Sequence, residues 1–336
     1  MRTTSRSAAA ILALALLAAR LAAQAGGPAF PAAAPAAGLL CPERLRQGDP
    51  LLAWVLAEAS FAGAEARLAA AGEGRIIAAA AAFAGPELAS PPRVGAAAAF
   101  RAYGFLMAIP FDLPPGDYLV LVEGAAALSA RLSVEARTFP SEDIALDAAN
   151  TRLRSEPSPR KEAEARKLAE LLARADPAAV FLDGSAFMLP LVPRRRSAGF
   201  GDRRRYLYQG GGAETSLHAG LDLAVATGAE VSACAPGRVV MAADRAVTGL
   251  TVVVEHLPGL YSLYMHLSTL FVAVGEGVER GTRLGLSGST GLSTGPHLHW
   301  ELRARGQAVD PEYWLSRPLL DKDRAAAIIA RLIEGR

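Results

Sequence analysis

Short apolar runs separated by turn residues follow residue 40. Four of them have the length of strands and lie at residues 51–59, 75–83, 100–111 and 118–122. The alanine-rich run at 75–83 also suits a helix, whereas the alternation of apolar and polar residues at 128–136 is typical of a strand with one buried face. A turn signal at 113–117 separates two of the runs. We therefore predict a β-sandwich of immunoglobulin-like type over residues 40–140.

The pattern becomes helical between residues 141 and 188. Ser158 suits the N-cap of a helix, Pro159 suits its first position, and the apolar residues that follow lie on one face. We interpret this segment as a helical connector between two domains. Residues 317–336 carry a second amphipathic pattern, which predicts a C-terminal helix with Asp321 as its cap.

Strands return between residues 189 and 316, with glycines at the turns between them. The predicted strands are 230–233, 237–242, 251–256, 260–266, 282–287 and 297–303. Because tight glycine turns join neighbouring antiparallel strands, we predict an antiparallel β-sheet domain here. The fold class is therefore mainly β, with an N-terminal sandwich, a helical connector and a C-terminal sheet.

The N-terminus has the pattern of a signal peptide over residues 1–25. Arg2 and Arg6 precede an apolar run at 8–19, and a small-x-small cleavage signal ends at Ala25. The run is too short to cross a bilayer, although an uncleaved anchor is the alternative. We expect a linker at 26–39, export to the periplasm or the exterior, and no membrane span in the mature chain.

Composition argues against one class of partner and excludes one kind of metal site. The 35 Lys and Arg residues nearly balance the 33 Asp and Glu residues, for a net charge of +2. With an export signal, that balance argues against a nucleic-acid partner. Cys41 and Cys234 are far apart and form no Cys-x-x-Cys pair, which excludes a structural zinc site of that type and favours two unpaired thiols.

All five histidines lie between His218 and His299. His297 and His299 are two residues apart, so in a strand they project from the same face. His218 and Asp222 also share a face in extended backbone, and the intervening glycine lets the chain approach its neighbours.

A catalytic zinc takes three protein ligands from histidine nitrogen and carboxylate oxygen, with one position open for water. His218, Asp222 and one histidine of the His297/His299 pair supply that set. The other histidine of the pair, together with His266, would then act as general base, proton donor or oxyanion stabiliser. We expect the remaining histidine, His256, to be structural or solvated.

Four segments resemble the motifs of one protein family. They read GFGDR at 199–203, HAGLD at 218–222, YMHL at 264–267 and GSTGLSTGPHLHWE at 288–301. In this order and spacing they are similar to the lysostaphin-type zinc metallopeptidases, which have the duplicated hybrid motif fold. The resemblance covers residues 194–314.

This resemblance implies an exported zinc endopeptidase that cuts peptides of bacterial peptidoglycan with zinc-activated water. The metal ligands for Zn²⁺ would be His218, Asp222 and His299, and the catalytic histidines would be His266 and His297. The substrate would be the stem or bridge peptides of the wall. The alternative is a non-catalytic or latent relative that binds the cell wall or regulates another wall hydrolase. Retention of all five polar site residues favours the enzyme.

Two arginine clusters flank this region, at 194–196 and 203–205. A basic rim would suit the carboxylates of stem peptides. The alternative is a solvated, charged loop, which is the usual role of such runs.

Overall fold

The computed structural model of the protein describes residues 36–58, 60–88 and 99–334. The predicted signal peptide and most of the predicted linker lie outside this part of the chain. The described residues are mainly β, as predicted, and they include no helix with the length and apolar character needed to cross a bilayer.

Strands occupy most of the described chain. The first ten are β1 (Ala37–Leu40), β2 (Arg44–Arg46), β3 (Pro50–Ala57), β4 (Glu65–Ala70), β5 (Ile76–Ala81), β6 (Phe83–Leu88), β7 (Phe100–Ala108), β8 (Gly116–Glu123), β9 (Leu128–Glu135) and β10 (Ser141–Ala145). The others are β11 (Arg195–Ala198), β12 (Arg203–Leu207), β13 (Ala213–Leu217), β14 (Leu221–Ala224), β15 (Glu230–Ser232), β16 (Gly237–Arg245), β17 (Gly249–Leu257), β18 (Leu260–Leu270), β19 (Gly277–Val278), β20 (Arg283–Ser287), β21 (His297–Ala304) and β22 (Gln307–Val309). The helices are α1 (Ala148–Ser155), α2 (Pro159–Leu172) and α3 (Lys322–Glu334), with a 3₁₀ turn at Tyr313–Ser316.

The N-terminal strands form two facing sheets. One has the order β1-β3-β7-β6 and the other the order β2-β9-β8-β4-β5. Val55 and Phe105 of the first sheet pack in one buried cluster with Leu68 and Val120 of the second. The predicted sandwich packing is therefore present, whereas its immunoglobulin-like topology stays a prediction.

The first sheet is buried on both faces, which explains why β3 is apolar throughout. Trp54 points away from the sandwich core, into a cluster shared with Trp314 and Ile329 of the C-terminal region. Its indole Nε1 donates to the carbonyl of Leu319 at 2.8 Å. This packing fixes the sandwich against the C-terminal sheet and α3.

The C-terminal sheet has the order β11-β14-β21-β18-β17-β16-β19, with β15, β20 and β22 attached. All its pairings are antiparallel, and each of the six strands predicted here is found. The domain boundaries drawn from the sequence stay predictions.

The connector differs in part from its prediction. The helix over Pro159–Leu172 begins at its N-cap Ser158, as predicted, and Asp321 accepts from the Arg324 amide at the start of α3. The segment Ser141–Ala145, however, is a strand that pairs in parallel with β12. Its acidic residues face arginines of that strand, a long-range pairing that the local pattern does not encode.

Candidate metal centre and active site

Two neighbouring strands bring the predicted metal ligands together. Asp222 of β14 lies directly opposite His299 of β21 in the antiparallel register. His218 precedes β14, and Gly220 lets the chain pass close to β21. A Cβ atom at Gly220 would lie 2.2 Å from the carbonyl oxygen of Trp300, so only glycine fits this crossing.

Three ligand atoms converge in this buried site. His218 Nε2 lies 3.1 Å from Asp222 Oδ1 and 2.9 Å from His299 Nδ1, and the last two atoms are 2.8 Å apart. These three residues form a group of side chains that could hold a metal ion.

The outer hydrogen bonds show which histidine nitrogens carry lone pairs. His218 Nδ1 donates to the carbonyl of Gly199 at 2.6 Å, and His299 Nε2 donates to Glu301 Oε1 at 2.8 Å. Because these oxygens can only accept, the opposite nitrogen of each neutral ring faces inward with a lone pair.

Lone pairs of two nitrogens and one carboxylate oxygen at such distances repel one another unless a cation lies between them. Two histidine nitrogens and one carboxylate oxygen are a donor set that suits a catalytic zinc. The residues present therefore fit Zn²⁺.

The charges around the site favour positive charge between these groups. Burial opposes ionisation of Asp222, yet the neighbouring imidazoles of His218 and His299 hold the pKa of its carboxyl far below the usual range. Burial likewise disfavours positive charge on His299, but the carboxylates of Asp222 and Glu301 raise the pKa of the imidazole to about 9, so positive charge at this ring is favoured. A cation at this position would meet the same attraction.

His266 and His297 stand beside the three ligands. Their ring centroids are 4.8 Å apart, and His297 Nε2 lies 3.6 Å from Asp222 Oδ1. His266 Nδ1 donates to the carbonyl of Thr290 at 2.7 Å, and His297 Nδ1 donates to that of Gly295 at 2.8 Å. In its neutral form, each ring therefore keeps a lone pair on Nε2.

A β-bulge aims His266 at the site. Met265 and His266 of β18 together face Thr251 alone on β17, and His266 has a left-handed backbone with φ 61°. Such strain is typical of functional positions. Burial, with repulsion from His297, lowers the pKa of His266 to about 3, which keeps the ring neutral.

Two further polar residues contact the predicted metal ligands. Glu301 accepts from His299, and Arg204 Nη2 donates to Asp222 Oδ2 at 2.5 Å. The period-two pattern of β21 places Glu301 on the same face as His297 and His299, so it could have been found. For Arg204 no local signal was available.

The remaining predictions have mixed outcomes. His256 is fully buried and bonded to Ser262 Oγ and the Pro236 carbonyl, so it is structural. Both cysteines are free and buried, as expected. The solvated-loop hypothesis is wrong for residues 203–205, because they lie in β12, where Arg204 pairs with Glu142 and Arg205 with Asp143.

The site opens into a cleft of about 670 Å³. His266 and His297 line this cleft. Residues of α1 and α2, including Arg154 and Glu164, line it as well. The connector therefore borders the space in which a substrate would lie.

The chain is similar in sequence to a known family of peptidases. Residues 216–311 match the model of Peptidase family M23. The chain is 38% identical over 154 residues to the DD-carboxypeptidase/endopeptidase Mpg of Neisseria meningitidis, covering 43% of this chain and 35% of that protein. It is 44% identical over 93 residues to the peptidoglycan DD-endopeptidase ShyA of Vibrio cholerae, covering 28% and 22%.

A relative that is named as an activator, and not as a peptidase, also matches. The murein hydrolase activator EnvC of Escherichia coli is 43% identical over 98 residues, covering 29% of this chain and 23% of that protein. The chain thus spans about a third or less of these relatives. The resemblance predicted from the motifs is confirmed by the match of residues 216–311 to Peptidase family M23.

Proposed function

We propose that this protein is an exported zinc metalloendopeptidase that hydrolyses peptide cross-links of bacterial peptidoglycan. One observation carries the proposal: three lone-pair donors converge beside two further histidines that line the same cleft. The names of Mpg and ShyA support the reaction, and that of ShyA also supports the substrate.

In this proposal His218 Nε2, Asp222 Oδ1 and His299 Nδ1 hold the zinc. When bound there, zinc supplies a Lewis acid that polarises a water molecule and the scissile carbonyl. One carboxylate among the three ligands leaves the centre with net positive charge, which favours both effects.

His266 and His297 move protons at their Nε2 atoms. The attacking water forms its bond to the carbonyl carbon and gives a proton to one of these nitrogens. The resulting imidazolium returns the proton to the departing amine as the C–N bond breaks. The backbone carbonyls of Thr290 and Gly295 fix the ring tautomers for this role.

The cleft and the N-terminal pattern support the substrate and the location. The cleft, which the connector borders, is open enough to accept an extended peptide. The stem and bridge peptides of the wall are substrates of this kind. The predicted signal peptide would take the chain to the periplasm or the exterior, where such peptides occur.

Digestion of purified peptidoglycan, followed by mass spectrometry of the fragments, tests the proposal. We expect new peptide ends that disappear with a zinc chelator and return with added zinc. His218→Ala should abolish cleavage, while Arg205→Ala, which changes an exposed arginine paired with Asp143, should not. Cleavage that survives complete removal of zinc would contradict the proposal.

The match to EnvC favours a second function, activation of another wall hydrolase. In that case the protein would release no peptide ends alone but would stimulate a wall amidase in the same digestion. His218→Ala would then keep the stimulation, because activation needs no bond cleavage by this chain.

A further inference from the structure

Arg204 contacts the metal site from outside the sheet that carries the ligands. It lies on β12, in a three-stranded sheet with β10 and β13. Its Nη2 donates to Asp222 Oδ2 at 2.5 Å, and its Nε donates to Glu142 Oε1 at 2.8 Å. Arg204 and Asp222 are 11% and 9% exposed, so solvent screens their contact little, whereas the Glu142 side chain is 41% exposed.

The two carboxylate oxygens of Asp222 have different partners. Oδ1 faces His218 Nε2 and His299 Nδ1, while Oδ2 is bound by Arg204. Rotation of the carboxylate would break the charge-assisted bond to the guanidinium. Occupation of Oδ2 also favours coordination of a metal through Oδ1 alone.

We propose that Arg204 is a positioning residue that keeps Asp222 a one-oxygen metal ligand, and that Glu142 of the connector holds Arg204 in place. The inference rests on the zinc site of the proposed function. It makes the strand β10 part of the metal centre, although that strand lies outside the segment matched by the family model.

The register of the strands supports the part assigned to Glu142. Glu142 and Arg204 are direct partners in the parallel pairing of β10 and β12. The neighbouring partners Asp143 and Arg205 form an ion pair of the same kind, but an exposed one. The two pairs differ in what their arginines reach, because only Arg204 contacts a metal ligand.

The positive charge of Arg204 opposes the binding of a metal cation beside it. A guanidinium near a divalent cation repels it, so removing the arginine could tighten zinc binding if charge alone mattered. Partners that orient metal ligands typically contribute 10–100-fold to metal affinity. We expect orientation to dominate, so Arg204→Met should weaken zinc binding by roughly 10–100-fold, and Arg204→Lys, which keeps the charge but not the fork, by less.

Zinc titration of the full chain against a chromogenic chelator measures this affinity. Substitution with Co²⁺ adds a structural readout, since its visible absorption weakens when the coordination number rises. We expect weaker absorption in Arg204→Met, as Asp222 becomes free to bind through both oxygens. Arg205→Ala is the matched control and should leave both readouts unchanged.

Glu142→Gln provides a second variant that leaves Arg204 in place and should give a smaller loss of affinity. Unchanged or tighter zinc binding in Arg204→Met and Glu142→Gln, with unchanged Co²⁺ spectra, would overturn the proposal. A wild-type chain that binds no zinc would overturn it as well. A chain that binds zinc and cleaves no peptidoglycan would contradict the proposed function only, since the titration needs no turnover.

Discussion

Substitution of Glu301 by glutamine tests whether Glu301 sets the tautomer of His299, a proposed metal ligand. Glu301 is 4% exposed, and its Oε2 accepts from Arg303 Nε at 2.7 Å while its Oε1 accepts from His299 Nε2. Arginine can only donate, so the amide oxygen of a glutamine must face Arg303. The amide nitrogen then faces His299, where it can only donate.

This reversal changes the tautomer of His299. Its Nε2 must now accept, so the ring proton moves to Nδ1, the atom that faces His218 and Asp222. A protonated nitrogen has no lone pair for a metal. We expect zinc affinity to fall by roughly 10–100-fold, which equals about 1.4–2.8 kcal/mol.

Zinc competition titration measures the affinity, and ¹⁵N chemical shifts of the imidazole report the tautomer. Glu255→Gln is the matched control, because Glu255 is also buried in this sheet but pairs with Arg238. If Glu301→Gln bound zinc within twofold of the wild type, the tautomer argument would be wrong.

Three further predictions concern other parts of the structure. His266→Ala should abolish peptidoglycan cleavage while zinc content, measured by mass spectrometry, stays near the wild-type value; full activity would refute its assigned role. Gly220→Ala should lower the free energy of unfolding in urea by about 1–3 kcal/mol, because the new methyl group meets the Trp300 carbonyl; wild-type stability would show that the strands can separate. Arg137→Met should lower the free energy of unfolding by about 3–5 kcal/mol, because Arg137 is 10% exposed and forms ion pairs with Asp310, at 2.9 Å, and with Asp49. A small loss would show that water replaces the arginine.

Features that depend on local periodicity were predictable. The pair His297 and His299 projects from one face because β21 is a strand, as the spacing of two residues predicts. The helix cap at Ser158 and six strands of the C-terminal sheet follow from equally local signals.

Features that depend on contacts between distant segments were not predictable from one sequence. The bulge that turns His266 toward the site arises from how β17 and β18 pair, and no residue type marks it. The sequence does not distinguish Arg204 from the two arginines beside it, because only tertiary structure decides which of the three contacts Asp222.

Residues of the connector contribute to the site although they lie before the predicted domain boundary. A boundary drawn at residue 189 separates the motifs from everything before them, yet β10 extends the sheet that holds Arg204, and α2 borders the cleft. Glu164 of α2 accepts from the Ala246 amide, which fixes this helix beside the site. Asp222 is bonded to Arg204, and Arg204 is bonded to Glu142 of the connector strand β10. Displacement of the connector would therefore change both the lining of the cleft and the orientation of Asp222, the proposed metal ligand.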